Sequence, residues 1–128
     1  MIDPAEPDAA VATFLAERHL ATLTTLRPDG SPHVVAVGFS YDPATQTARV
    51  ITFAGAVKAR NAARGGRAAL CQVDGRRWLT LEGTVTLATD ATRVAAAVSG
   101  YAARYRQPGE RDDRVAIEIA VDRILGRA

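Results

Sequence analysis

The chain has 128 residues, 48% of them hydrophobic, and a formal net charge of +2. That length and apolar content suit one globular domain, residues 1–128, with a core of its own; without a Lys/Arg run the small charge gives no support for nucleic-acid binding. A single cysteine, Cys71, excludes an internal disulfide and a multi-cysteine metal site, no apolar run is long enough for a helical membrane span, and the acidic, proline-bearing first ten residues do not read as an export signal, so a cytoplasmic protein without membrane contact is expected.

Asp8 is placed to cap a short helix running to about Arg18, with Val11, Phe14 and Leu15 as its apolar stripe and His19 at its C-terminal end. Leu20–Leu26 reads as the first strand, followed by the turn Arg27-Pro28-Asp29-Gly30. His33–Tyr41 is a second strand with Val35, Val37, Phe39 and Tyr41 on one face, and Ala48–Phe53 a third. Lys58 to about Arg64 forms a short helix that Gly65-Gly66 stops. Ala68–Val73 and Arg77–Leu87 are strands joined by the hairpin signal Asp74-Gly75. Asp90 caps a longer helix to about Tyr105, with Val94, Val98, Tyr101 and Tyr105 turned inward. After a polar loop, Val115, Ile117, Ile119 and Val121 alternate with polar or small residues in a last strand. Six strands joined mostly by short turns imply a mainly β protein with three helices, its antiparallel sheet closed into a small barrel that removes exposed edges. Side chains fill such a barrel, so a large ligand binds outside it, and an interface between two copies offers a groove.

Of sixteen basic side chains only one, Lys58, is a lysine. It follows a strand and a small-residue turn, Thr52-Phe53-Ala54-Gly55-Ala56-Val57, and precedes Arg60 and Asn61. A compact ammonium beside turn N–H groups makes a seat for an anion, and a phosphate-bearing cofactor is the natural guest. The catalytic patterns are missing: there is no Gly-x-Gly-x-x-Gly, Walker sequence or serine elbow, and the two histidines have no zinc spacing. Chemistry carried by a bound cofactor suits a chain of this kind.

The strings His19–Leu26 and Ser31–Gly38 resemble those of the split β-barrel flavin and deazaflavin oxidoreductases related to pyridoxamine phosphate oxidase. Arg49–Thr52, Lys58–Asn61 and Gln72–Leu79 are similar to the actinobacterial branch that uses coenzyme F420, its biliverdin-reducing members most of all. This resemblance, from His19 to Gly126, implies a six-stranded split barrel (the FMN-binding split-barrel fold) acting as a homodimer. It implies phosphate binding by Thr52, Ala54, Gly55, Lys58 and Asn61, with Arg60 reaching the phosphate or an acidic tail. The backbone of His33, Val34, Val35 and Ala36 would run beside the ring, with Trp78 and Gln72 packing on the cofactor. It also implies hydride transfer from reduced deazaflavin to a small electrophilic acceptor, a biliverdin-like tetrapyrrole being favoured, with Arg104, Arg106 and Arg111 as candidate grips for its propionates. The residues by themselves leave two other readings open: FMN in the same seat of an oxidoreductase, and a non-catalytic carrier of F420 or flavin.

Overall fold

A computed structural model describes all 128 residues. Helix α1 (Ala9–Ala16) starts where the Asp8 carboxylate accepts the Val11 N–H at 3.0 Å, and it buries Val11, Phe14 and Leu15 as the spacing requires. It ends at Ala16 with Glu17 as its C-cap, so Arg18 and His19 lie beyond it. His19 Nε2 instead meets the Glu17 carboxylate at 2.9 Å, and its ring sits edge-on to Phe14. The remaining elements are β1 (Ala21–Leu26), β2 (Pro32–Val37), β3 (Ser40–Asp42), β4 (Thr47–Phe53), α2 (Val57–Ala63), β5 (Arg67–Asp74), β6 (Arg77–Ala88), α3 (Ala91–Arg104) and β7 (Arg114–Arg127).

All seven strands form one antiparallel sheet in the order β2-β1-β5-β6-β7-β4-β3. Its two outer strands are consecutive in the chain and only Gly38 and Phe39 separate them, so the sheet curls until its edges nearly meet: a split barrel. The strand count is thus seven, because the expected strand His33–Tyr41 breaks at Gly38. The cause is α3. Rings of Tyr101 and Tyr105 press on Gly38 so closely that a Cβ there would lie 3.0 Å from each. The Phe39 N–H leaves the ladder and donates to the Tyr105 hydroxyl at 3.1 Å.

Nineteen buried apolar residues fill the barrel, among them Phe14, Leu23, Phe39, Leu70, Leu81, Ile117 and Ile119. Strands β6 and β7 contribute the longest pairing, broken by a bulge at Gly83, where a Cβ would meet the Ala120 carbonyl oxygen at 1.9 Å. Asp90 caps α3 by accepting the Arg93 N–H. The expected inward stripe of Val94, Val98, Tyr101 and Tyr105 is only half-buried; the buried residues of α3 are Ala97 and Arg104.

Arg104 therefore stands in the interior, contrary to a role in gripping an acceptor. It donates to the Glu17 and Phe39 carbonyls and to Gln72 Oε1, each at 2.8 Å, and lies over the rings of Phe39 and Tyr105. Burial pulls its guanidinium below the ordinary arginine value. These bonds tie α3 to the α1 exit, to β5 and to the β2–β3 break.

Candidate functional site

The break at Gly38 also opens a groove of about 360 Å³. One side is the end of β2 (Ala36, Val37) with Gly38. Another is the end of β4 (Ile51, Thr52, Phe53), with Lys58 from the first turn of α2. Tyr101 of α3 and Arg106, Pro108, Gly109, Arg111 and Arg114, from the polar loop and the start of β7, complete it. The volume falls in the range of small-ligand sites.

Its electrostatics are one-sided. Lys58, Arg106, Arg111 and Arg114 line it, and no carboxylate does. Arg111 is held by Asp113 at 2.5 Å and stacks its guanidinium 4.2 Å from the Phe53 ring centre; that guanidinium keeps the Asp113 carboxyl below its usual value. The side chains of Lys58, Arg106 and Arg114 make neither ion pair nor hydrogen bond. Thr52, 8% exposed, lines the same groove, and its Oγ1 is buried without a partner. A buried hydroxyl left in that state is costly, and here it belongs to a residue lining a groove that holds three unpaired cations. A phosphate would satisfy the hydroxyl and the ammonium together, so the side chains present fit an anionic, phosphate-bearing cofactor.

The groove gathers three of the residues singled out for the cofactor, Ala36, Thr52 and Lys58, together with Arg106 and Arg111. Ala54 and Gly55 form the exposed turn beside it. The Ala54 N–H donates to the Asp113 carbonyl, and the Gly55 carbonyl accepts from Arg60 Nη1 at 3.0 Å, which folds Arg60 back onto the turn. Asn61 is buried below α2: its amide donates to Thr25 Oγ1 at 3.0 Å and accepts from Arg64, which also donates to the Leu26 and Arg60 carbonyls. Gln72, 1% exposed, bridges Arg104 and the Phe14 carbonyl. Within one chain, Asn61 and Gln72 thus serve the fold.

His33, Val34 and Val35 lie farther back on β2, outside the groove, and His33 Nδ1 is buried without a partner. Trp78 stands at the opposite end of β6 from Ala88, the residue that pairs with Ala116 near the groove. Ten residues of strand put it about 33 Å away along the sheet. The α2 helix has only seven residues and an alanine cap, so Thr52 and the side-chain cations, not its N-terminus, define the seat.

Sequence reasoning did not find Ile51, Phe53, Tyr101 or Arg114 as lining residues. The β4–β7 register sets Phe53 opposite Arg114 and Thr52 opposite Val115, and nothing in either segment's own pattern announces that pairing. Elsewhere, Glu17, His19 and Asp74 converge within 4.8 Å, but Arg77 pairs with both carboxylates, at 3.0 and 2.6 Å, and takes the place of a cation. No helix is long and apolar enough to cross a membrane.

Comparison with known proteins identifies relatives of this fold. The chain is 57% identical over 121 residues, 94% of its length and 88% of the relative's, to an F420H(2)-dependent biliverdin reductase of Mycobacterium tuberculosis. Among solved structures it is similar to an F420 reductase, with 26% identity, a TM-score of 0.74, and 93% and 98% of the two chains covered. A conserved hypothetical protein from M. tuberculosis shares the fold at 23% identity and a TM-score of 0.79, over 94% of this chain and 83% of that one. The family description pyridoxamine 5'-phosphate oxidase matches residues 7–128. With the match spanning nearly the whole split barrel and its groove, the chain belongs to the pyridoxamine 5'-phosphate oxidase family.

Proposed function

We propose that the chain is a coenzyme F420-dependent reductase, working in the cytoplasm as a homodimer, with a biliverdin-like tetrapyrrole as its acceptor. The observation that carries the reading is the orphaned Thr52 hydroxyl beside the unpaired Lys58 ammonium. The 57% identical relative supports deazaflavin as the ring and biliverdin as the acceptor.

Bound in reduced form, the coenzyme supplies a hydride from its central ring carbon. The protein does the rest. Thr52 and Lys58 would hold the phosphate, with the Ala54–Gly55 turn and Arg60 alongside. Asn61 keeps Lys58 in place by fixing α2 to β1 through Thr25. The end of β2 at Ala36, which lines the groove, would lie beside the ring. Arg106 and Arg114, free of internal partners, hold the acceptor's carboxylates. Fixing both reactants removes much of the entropic barrier, about 7–11 kcal/mol in well-oriented cases.

The homodimer reading rests on the outer face of the sheet. Opposed residues of antiparallel strands share a face, and the register places Val34 with Thr24, and Trp78 with Val73, on the outside. Val34, Leu26, Val73, Trp78 and Leu125 are 55%, 43%, 62%, 38% and 40% exposed there. Such an apolar stretch marks a contact surface. A second copy seated on it reaches the groove at Ala36, whose paired Thr22 lies on the same face. Trp78, Val34 and Cys71, which pairs with Thr80 and Thr22, then belong to the interface.

The test mixes pure protein with reduced F420 and biliverdin and follows the deazaflavin absorbance. Acceleration over buffer is expected. Binding without acceleration overturns the acceptor, and absence of F420 binding in a fluorescence titration overturns the cofactor. Tighter binding of FMN in a parallel titration assigns the seat to flavin, and a single-chain mass in solution overturns the dimer.

A further inference from the structure

Hydride arrival at an electrophilic carbon leaves an electron pair on the conjugated acceptor atom, such as a ring nitrogen, and a proton must bond there to complete the reduction. We propose that Tyr101 is the general acid that delivers it; the proposal rests on the reductase reading above.

The lining of the groove decides the assignment. It holds no histidine, carboxylic acid or cysteine. Arginine does not release its proton in proteins, which removes Arg106, Arg111 and Arg114. The Thr52 hydroxyl is too weak an acid and is assigned to the phosphate above. Lys58 is committed to the same phosphate. Tyr101 is the one lining residue left with a transferable side-chain proton.

Its surroundings set it apart from its neighbour. The Tyr105 hydroxyl is occupied: it donates to the His19 carbonyl at 2.6 Å and accepts the Phe39 N–H. The Tyr101 hydroxyl makes no hydrogen bond, although its ring is fixed against Gly38 and lies 4.9 Å from the Tyr105 ring. A held ring with an unengaged phenol is suited to giving a proton to a bound molecule. In the step, the Tyr101 O–H bond breaks and an N–H bond forms on the acceptor. The hydride's electron pair stays in the new C–H bond. The phenolate left behind lies in a groove lined by four cations and recovers its proton from water at the open mouth.

The experiment compares wild type, Tyr101→Phe and Tyr105→Phe. Rates are normalised to coenzyme sites counted by F420 fluorescence titration, so that unfolded material does not imitate lost catalysis. Tyr101→Phe keeps the ring on Gly38 and is expected to bind coenzyme as wild type does. Its kcat is expected to fall about 100-fold or more, and the alkaline limb of the wild-type kcat profile is expected to vanish. Tyr105→Phe is expected to melt earlier yet turn over normally. A Tyr101→Phe protein with wild-type kcat and pH profile makes water the donor and overturns the assignment, with the reductase reading intact. A wild type that does not oxidise reduced coenzyme overturns both.

Discussion

Replacing Thr52 by valine should move stability and coenzyme affinity in opposite directions. Valine keeps the branched shape and deletes only the hydroxyl. In the free protein that hydroxyl is buried, in a residue 8% exposed, and has no partner. An unsatisfied buried group of this kind costs about 1–3 kcal/mol, so its removal should stabilise the free protein by about 1 kcal/mol. For a domain of 128 residues that corresponds to a Tm about 3–5 °C higher. Coenzyme binding should suffer, because a hydrogen bond to a charged phosphate contributes about 1.5–3 kcal/mol, or about 10- to 150-fold in Kd. Thr52→Ser, which retains the hydroxyl, should bind nearly as wild type. The assays are thermal melts at one protein concentration without ligand, and F420 fluorescence titrations. A valine variant that melts earlier and binds unchanged would refute the reasoning, since the hydroxyl would then serve the fold and not the ligand.

Lys58→Ala should weaken coenzyme binding by about 1–3 kcal/mol while leaving the urea midpoint in place, because Lys58 has no internal partner; unchanged affinity by titration would move the phosphate elsewhere. Arg104→Leu should destabilise by about 3–5 kcal/mol, measured by urea unfolding, because it strands the Glu17 and Phe39 carbonyls and Gln72 Oε1. Tyr41 donates to the Pro4 carbonyl, and burial first, then the Asp3 and Asp42 carboxylates, push its phenol from 10.0 up to about 12. Its folded form holds the proton longer than the unfolded chain does, so its contribution is complete below pH 10 and is lost as pH rises toward 12. Urea midpoints should fall less steeply over that window in Tyr41→Phe than in wild type.

Local patterns carried the elements well where one face is buried. The period-two alternation of Val115, Ile117, Ile119 and Val121 and the carboxylate caps Asp8 and Asp90 appear in the structure as expected. The β2–β3 break was hidden because Val35, Val37, Phe39 and Tyr41 keep alternating across it; only the approach of two tyrosine rings from a helix more than sixty residues later interrupts the ladder. Lys58 was legible as a lone ammonium after a strand and turn, and Thr52 as its neighbour. Asn61 and Gln72 read as polar candidates for a ligand, but their partners, Thr25 and Arg104, are 36 and 32 residues distant. Arg114 carried no signal, since its place in the groove depends on the register that sets it opposite Phe53.

Arginines only two residues apart meet opposite fates here, and the geometry of Gly38 explains why. Because Gly38 lacks a Cβ, Tyr101 and Tyr105 can lie directly on the backbone there, and α3 settles against the barrel's open seam. That position turns Arg104 toward the interior, where the interrupted ladder leaves the Phe39 carbonyl to be satisfied, and Arg104 supplies the donor. Past the end of α3 the chain leaves the barrel, and Arg106 emerges into the groove with nothing to pair with. One discontinuity therefore produces both a cation bonded through all three of its nitrogens that locks the helix and an unbonded one that lines the groove. A Cβ at residue 38 would press on Tyr101 and Tyr105 at 3.0 Å, disturbing in one step the barrel's closure, the Arg104 network and the wall of the groove that carries Tyr101.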